Sequence, residues 1–169
     1  MSEIKRAFEA VVTALEKDPA LGKGTGTTTA RLRKGLVCEI EAGPWRFSAD
    51  MPKTSGGTAT APTPGVYGRA ALGSCLAIGY AMRAAKLGVS ISTITVEVQA
   101  DYDDGAIFGV TDVPPGYSEV RCLVTVETDA PEADVLRALD EADAHSPYLD
   151  VFRRAQRCTR EVRIQRATS

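Results

Sequence analysis

Cysteine is the residue type in this sequence with the greatest capacity for chemistry. It occurs four times, at Cys38, Cys75, Cys122 and Cys158. These positions are too far apart in the chain for a CxxC redox motif or a zinc-ribbon spacing. The single histidine, His145, excludes a histidine-rich metal site. We therefore predict free thiols rather than disulfides, and neither a metal site nor a cofactor.

Cys75 differs from the other cysteines because it lies in the middle of a long segment of small apolar residues. Gly73 and Ser74 precede it, and such a pair can bend a helix. A bend would free backbone N–H groups beside the sulfur, and these would favour a reactive thiolate. The alternative interpretation is a small buried side chain, the usual state of a free cysteine.

The other three thiols are less promising. We expect Cys38 and Cys122 to pack in the core, because each lies on the apolar face of a predicted strand. Cys158 lies in the positively charged stretch 157–160, which favours a thiolate. An isolated surface thiol is the preferred interpretation of Cys158.

Three further patterns have structural alternatives that we prefer. The pair His145-Ser146 suggests a serine hydrolase, but no G-x-S-x-G elbow is present, and Ser-Pro is a typical helix start. The aspartates between 101 and 112 do not match an EF-hand, so we interpret them as solvated turn residues. The arginine cluster at 153–160 suggests an anion site or, more simply, a solvated face.

Composition excludes several classes of protein. Twenty Lys and Arg residues against 22 Asp and Glu residues leave a formal net charge of -2, unlike a protein held to nucleic acid by its overall field. The apolar segment around 70–85 is too short to predict a membrane span. The N-terminal residues do not resemble a signal peptide, so we expect a cytoplasmic protein without nucleic-acid or membrane partners.

Hydrophobic periodicity predicts an α+β chain with antiparallel sheet, in which helices and strands are segregated. A long loop without periodicity covers 51–63, and Asp103-Asp104-Gly105 is expected to form a turn. Helices are predicted over 2–17, 64–87, 132–142 and 146–154. Strands are predicted as a three-stranded meander within 25–50 and over 92–100, 119–128 and 161–166.

The predicted helix over 64–87 is apolar on nearly every side, so it should be buried on all sides. One small three-stranded sheet could not cover such a helix alone. We therefore expect an obligate homodimer with an interface above about 2,000 Å².

The segment from Pro64 to Cys75, followed by a buried helix and the strand that begins after Gly88, resembles the OsmC/Ohr family of osmotically inducible and organic-hydroperoxide-resistance proteins. The resemblance covers about 25–166, which suggests a helical extension at 1–22 and one OsmC-like domain at 23–169. It implies an intertwined homodimer, with antiparallel sheets wrapped around buried central helices. It also implies reduction of organic hydroperoxides by a peroxidatic cysteine, a resolving cysteine and an Arg–Glu pair.

Residue by residue the match is partial. Cys75 occupies the position of the peroxidatic cysteine, and Arg33 is the counterpart of the family arginine. The family's Asn-Pro-Glu signature reads Thr-Pro-Gly65 here, so its glutamate is absent. Ser146 replaces the resolving cysteine, and a serine cannot form the disulfide that returns a sulfenic acid to a thiol. His145 could partly replace the missing carboxylate as an orienting group.

Two functions follow from this partial match. The first is a one-cysteine peroxidase for small hydrophobic hydroperoxides, in which Arg33 stabilises the Cys75 thiolate and an external thiol serves as reductant. The second is a ligand-binding or redox-sensing protein that has the fold but has lost peroxidase turnover. The presence of Cys75 and Arg33 favours the first function, and the absence of the glutamate and the resolving cysteine favours the second.

Overall fold

A computed structural model describes residues 2–166 of the chain. These residues form an α+β structure with two antiparallel sheets, which confirms the predicted fold class. None of the described helices is long and apolar enough to cross a membrane. The helices are α1 (Glu3–Lys17), α2 (Pro64–Leu87), α3 (Asp104–Ile107), α4 (Glu132–Asp143) and α5 (Pro147–Arg153), with 3-10 turns at Pro19–Gly22 and Lys53–Ser55, and the strands are β1 (Thr29–Leu32), β2 (Cys38–Ala42), β3 (Trp45–Ala49), β4 (Thr93–Asp101) and β5 (Glu119–Glu127).

The first sheet is the predicted meander, with strand order β1-β2-β3. Gly35 and Gly43 form its two turns with φ of 65° and 57°, a region that favours glycine. The second sheet is a long hairpin, in which β4 pairs with β5 from Thr93 opposite Glu127 to Asp101 opposite Glu119. Along β4 exposed and half-buried residues alternate, as the period of two in its sequence predicts.

α2 packs directly on β4, and Gly73 makes this close packing possible. A Cβ at Gly73 would lie 3.2 Å from Val98 Cγ2 and 3.6 Å from the carbonyl oxygen of Val96. The helix continues through Gly73 and Ser74 without interruption, and the bend expected beside Cys75 stays a prediction. The absence of a side chain at Gly73 allows β4 to lie close to α2, and the helix continues through this residue.

The core is centred on α2. Leu72, Leu76, Tyr80 and Ala142 form a fully buried cluster. The Tyr80 hydroxyl donates a hydrogen bond of 2.8 Å to Asp143 Oδ1, which ties α2 to the end of α4. Burial, and secondarily this carboxylate, raise the pKa of Tyr80. Residues packed around the cluster are Ile94, Val96, Val98, Val120, Val124, Leu139, Leu149 and Phe152.

One face of α2 is not covered within this chain, as expected for a helix that one copy cannot bury alone, and its burial on all sides stays a prediction. Ile78 is 61% exposed, and Val66 and Met82 are 40% and 39% exposed. The chain exposes 12909 Å², whereas a compact monomer of 17.9 kDa exposes about 8,000 Å². The exposed apolar side chains of α2 and the extended residues 155–166 both contribute to this excess.

Two predicted elements are wrong. Residues 155–166 form no strand, and Val162 and Ile164 are 65% and 92% exposed. A strand needs a hydrogen-bonded neighbour, and none of the described residues provides one for this segment. The predicted turn at Asp103 instead starts the one-turn helix α3, because the Asp103 side chain accepts a hydrogen bond from Gly105 N.

α1 begins at the predicted cap, where the Ser2 hydroxyl accepts a hydrogen bond from Lys5 N. It packs against the last turns of α2 through Phe8. Arg83 and Lys86 lie 5.0 Å and 5.6 Å from the centre of the Phe8 ring. Each such cation–π contact contributes about 0.5–1 kcal/mol at an exposed site. The division into an extension at 1–22 and a domain at 23–169 stays a prediction.

The loop between β3 and α2 is ordered by Asp50, a buried residue that the sequence analysis missed. Its carboxylate accepts hydrogen bonds from the backbone N–H groups of Met51, Thr58 and Thr60 and from both threonine hydroxyls. Ala59 has a φ of 56° between the two threonines, a conformation that costs about 1–2 kcal/mol for a residue other than glycine. The carboxylate therefore holds a strained loop in place at the entry to α2.

Hydrogen bonds to Asp50, first that of the Thr58 hydroxyl, hold the pKa of its carboxyl well below the usual range. Because the folded-state pKa is depressed, the stability that Asp50 contributes is complete above its unfolded pKa of about 3.9 and is lost as the pH falls. Asp50→Asn should lower the melting temperature by several degrees at pH 7 and by less at pH 3. Thermal unfolding at both pH values measures this, with exposed Asp112→Asn as the control. An equal decrease at both pH values would contradict the role assigned to the Asp50 charge.

Candidate functional site

Cys75 is half-buried in the middle of α2, and its Sγ lies 3.7 Å from the Oγ of Ser146. The two residues are 71 positions apart in the sequence. Packing of α2 against α4 brings them together, since Gly79 faces Ala142 and Tyr80 is hydrogen-bonded to Asp143. The thiol is thus placed beside a hydroxyl at the junction of α4 and α5.

Ser146 is the N-cap of α5, which confirms the cap that its Ser-Pro sequence predicts. Its Oγ accepts a hydrogen bond of 3.3 Å from Leu149 N, and the residue is only 8% exposed. The cap fixes the hydroxyl next to the sulfur. A hydroxyl in this position can exchange a hydrogen bond with Cys75 but cannot form a disulfide with it.

His145 is adjacent to Ser146 in the chain, but its ring is directed elsewhere. Its Nδ1 lies 2.8 Å from the carbonyl oxygen of Glu141, one turn earlier in α4, and the residue is exposed. In the described part of the chain His145 has no hydrogen bond to Cys75 or Ser146. His145 therefore contacts the C-terminal end of α4.

Arg33 follows β1 at the turn into β2. Its Nε lies 3.7 Å from Glu39 Oε2, and its side chain is 70% exposed. Among the described residues it has no hydrogen bond to Cys75. One chain thus brings Cys75 and Ser146 together but does not bring Arg33 to them.

All four cysteines are free thiols. Cys122 is exposed and lines a cavity of about 500 Å³ between α2, β5 and α5, so its expected place in the core is wrong. Partial burial, and secondarily the Asp143 carboxylate, raise the pKa of the Cys122 thiol. A raised pKa lowers the thiolate fraction at neutral pH, which makes Cys122 a poor competitor for an electrophile. Cys38 is half-buried in β2, and Cys158 is exposed as predicted.

The sequence analysis also missed a polar chain at the first turn of α2. Arg69 Nη1 donates a hydrogen bond of 3.3 Å to Tyr117 Oη, and Tyr117 donates one of 3.1 Å to the carbonyl oxygen of Gly65. A Cβ at Gly65 would lie 3.4 Å from Tyr117 Oη and 3.5 Å from Arg69 Nη1. Residues four apart on a helix are neighbours, which places Arg69 beside Gly65. Tyr117, the partner of Arg69, lies 48 residues away, so no local sequence pattern indicates the hydrogen bond.

The charged clusters have structural roles. Asp101 pairs with Arg121 at 2.6 Å, Asp103 caps α3, and Arg154 pairs with Asp150 at 2.6 Å. In the part of the chain that the structure describes, no three His, Cys, Asp or Glu side chains come together as metal ligands would.

Comparisons with known proteins agree on one fold. The family model for OsmC-like protein matches residues 56–161. No curated protein matches the chain. An OsmC-like protein of Mycoplasma pneumoniae is similar at a TM-score of 0.67 and 15% identity, over 78% of this chain and 89% of that one. The organic hydroperoxide resistance protein OsmC of Legionella pneumophila is similar at a TM-score of 0.55 and 15% identity, over 77% of this chain and 90% of that one. The organic hydroperoxide resistance protein OhrB of Bacillus subtilis is similar at a TM-score of 0.51 and 20% identity, over 77% of this chain and 91% of that one.

The contact between Cys75 and Ser146 leads to a direct test. Ser146→Cys should place two thiols close enough to form a disulfide, which requires an S–S distance of about 2.05 Å. Mild oxidation should then remove both thiols in more than half of the molecules within one chain, as non-reducing peptide mapping by mass spectrometry would measure. The double variant Cys75→Ser, Ser146→Cys is the control and should form no such bridge. Absence of the bridge in the single variant would show that the two side chains are not neighbours.

Proposed function

Because this chain belongs to the OsmC-like protein family, we propose that it reduces organic hydroperoxides with Cys75 as the nucleophile. The observation that carries the proposal is the 3.7 Å contact of Cys75 Sγ with Ser146 Oγ. Ser146 holds the position at which the family resemblance places a resolving cysteine. This contact supports a peroxidatic role for Cys75, with a hydroxyl where the second thiol would be.

The reaction begins when the Cys75 thiolate attacks the terminal oxygen of the hydroperoxide. An S–O bond forms, the O–O bond breaks, and the leaving alkoxide takes a proton to become an alcohol. The cysteine is oxidised to a sulfenic acid, and the peroxide is reduced by two electrons. Ser146 can hydrogen-bond the oxidised sulfur but cannot reduce it.

The sulfenic acid must therefore be reduced by an external thiol. Attack of that thiol on the sulfur of Cys75 forms a mixed disulfide and releases water. A second thiol then attacks the mixed disulfide and restores the Cys75 thiol. Cys75 is half-buried in the described structure, and the proposal requires its sulfur to be within reach of such a reductant. This is the cycle of a one-cysteine peroxidase.

Arg33 acts in this proposal across a homodimer. Within one chain it lies at the turn after β1 with a mostly exposed side chain. Its pairing with Glu39 is between exposed groups, and such pairs contribute only about 0–1 kcal/mol, so the guanidinium is easily redirected. The Arg33 side chain of a second copy would favour the Cys75 thiolate by its positive charge.

The uncovered face of α2 supports the homodimer. Ile78 and Met82, four residues apart, are exposed on one side of the helix, and the accessible surface of the chain exceeds that of a compact monomer of its mass. A second copy of the chain placed on this face would bury the apolar side chains. Interfaces of permanent dimers are correspondingly large and apolar.

The dimer is tested at Ile78. The wild-type protein should sediment as a dimer at micromolar concentration, because burial of the α2 face stabilises the pair. Ile78→Asp should raise the dissociation constant at least about tenfold, since it places a charge in an apolar interface. Val110→Asp is the control, as Val110 is 80% exposed in the loop between β4 and β5. A wild-type protein that sediments as a folded monomer would contradict the dimer.

Gly65 and Ser146 favour a second candidate function. The family resemblance places a glutamate at the first of these positions and a resolving cysteine at the second, and both groups are absent here. A chain that lacks the glutamate and the resolving cysteine could use the same site to bind a ligand, or could be oxidised at Cys75 as a redox sensor without catalytic turnover. The alternative is therefore a non-catalytic OsmC-like ligand-binding or redox-sensing protein.

Chemical trapping separates the two candidates. The protein is treated with stoichiometric cumene hydroperoxide in the presence of dimedone, and adducts are located by mass spectrometry. We expect one adduct at Cys75, its loss in Cys75→Ser and its persistence in Cys122→Ser. Arg33→Ala should slow adduct formation at least about tenfold, which corresponds to about 1.4 kcal/mol of transition-state stabilisation. Arg31→Ala, two residues earlier in the same hairpin, should leave the rate unchanged.

The outcome that overturns the peroxidase is equally specific. It is the absence of any adduct at Cys75, together with alkylation of Cys75 at the same rate in wild type and Arg33→Ala. The non-catalytic function would then stand. Turnover of cumene hydroperoxide with excess dithiothreitol distinguishes a peroxidase from a sensor that is oxidised only once.

A further inference from the structure

A groove of about 520 Å³ lies where α1, the second half of α2 and the segment that leads into β4 meet. α1 contributes Ser2 and Ile4 to its lining, and residues 89–94 contribute the segment before and at the start of β4. The lining residues on α2 are Ala77, Ile78, Ala81, Ala84 and Ala85. None of the lining residues carries a charge. A groove of this composition fits an apolar side chain better than an ion, because nothing in it would pair with a charge.

α1 leaves part of its apolar side uncovered. No residue of α1 is fully buried. Ile4 and Val11, which lie seven residues apart and therefore on the same side of the helix, are 48% and 57% exposed. A helix of 15 residues is marginal in water unless it buries its apolar side. A single chain thus gives α1 less burial than such a helix needs.

The uncovered side of α1 is continuous with the uncovered face of α2, because Ile4 and Ile78 line the same groove. Ile78 is a branched apolar side chain that projects from α2, and the alanines beside it leave space. In a two-fold dimer the same patch serves both copies, so each copy must supply both partners of every contact. This patch supplies both, since it has a projecting side chain and a groove lined by small residues.

The uncovered area is large enough for a stable pair. The chain exposes 12909 Å², against about 8,000 Å² for a compact monomer of its mass. A permanent dimer buries more than about 2,000 Å² in total, or about 1,000 Å² on each copy. The observations therefore favour a second copy of this chain as the occupant of the groove.

We propose that α1 is part of the homodimer interface, and that the groove between α1 and α2 receives Ile78 of the partner subunit. The second copy then packs against Ile4 and covers the apolar side of α1. The inference rests on the homodimer of the proposed function. It adds an element that lies outside residues 56–161, the part of the chain that the family model matches.

A charge placed at Ile4 tests this contact. In sedimentation of the full-length protein, Ile4→Asp should raise the dissociation constant of the dimer at least about tenfold, because it brings a charge into an apolar contact in both copies. An aspartate in the first turn of a helix is favoured by the helix dipole, so α1 should stay folded, as circular dichroism would measure. Ala10→Asp is the matched control, since Ala10 is exposed on the opposite, charged side of α1. It should leave the dissociation constant unchanged.

Photo-crosslinking supplies a readout that does not depend on stability. With benzoylphenylalanine at position 4, irradiation should join two copies into a covalent dimer on a denaturing gel, and peptide mapping should locate the bond on α2 of the second copy. The same group at position 10 should give no covalent dimer.

Three outcomes would overturn the inference. One is a dimer that Ile4→Asp does not weaken, and another is a crosslink from position 4 that stays within its own chain. The third is an apolar small molecule that native mass spectrometry finds on the wild type and not on Ile4→Asp. If Ile78→Asp nevertheless weakens the dimer, the homodimer stands without a contribution from α1. A wild-type monomer would overturn the homodimer and this inference together.

Discussion

α2 is apolar around almost its whole circumference, and each neighbour in the chain covers part of it. β4 can approach because Gly73 has no side chain, and α4 approaches at Gly79. α1 packs against the last turns. The side that carries Ile78 remains open in one chain, where the exposed surface exceeds that of a compact monomer. The requirement to bury this helix therefore sets the positions of the β4–β5 hairpin, α4 and α1.

The same packing sets the environment of the only thiol at the centre of the helix. The Tyr80 hydroxyl bonds to Asp143, and a hydrogen bond to a charged group contributes about 1.5–3 kcal/mol. This bond lies five residues after Cys75 on α2 and three residues before Ser146 on the other segment. The bond fixes the position of α2 relative to the end of α4. The contact of Cys75 with Ser146 therefore depends on a hydrogen bond made further along the helix.

The glycine at position 65 has consequences at the other end of α2. A carboxylate there would lie beside Arg69, four residues later, and would neutralise it. Without it, the guanidinium has only the Tyr117 hydroxyl as partner in the described structure, at the edge of an apolar cavity. The first turn of α2 thus has a free cation, and the middle has a thiol beside a hydroxyl.

What could be predicted from the sequence alone depends on short-range chemistry. The start of α2 at Pro64, its end at Gly88 with a φ of 75°, and the cap of α5 at Ser146 all follow from residues within one turn. The family resemblance, rather than periodicity, placed Ser146 opposite Cys75. Asp50 and Arg69 could not be recognised, because their partners lie 8 to 10 and 48 residues away. Residues 161–166 alternate like a strand, but the residues that the structure describes offer them no neighbouring edge to bond, and only the tertiary structure decides whether such an edge exists.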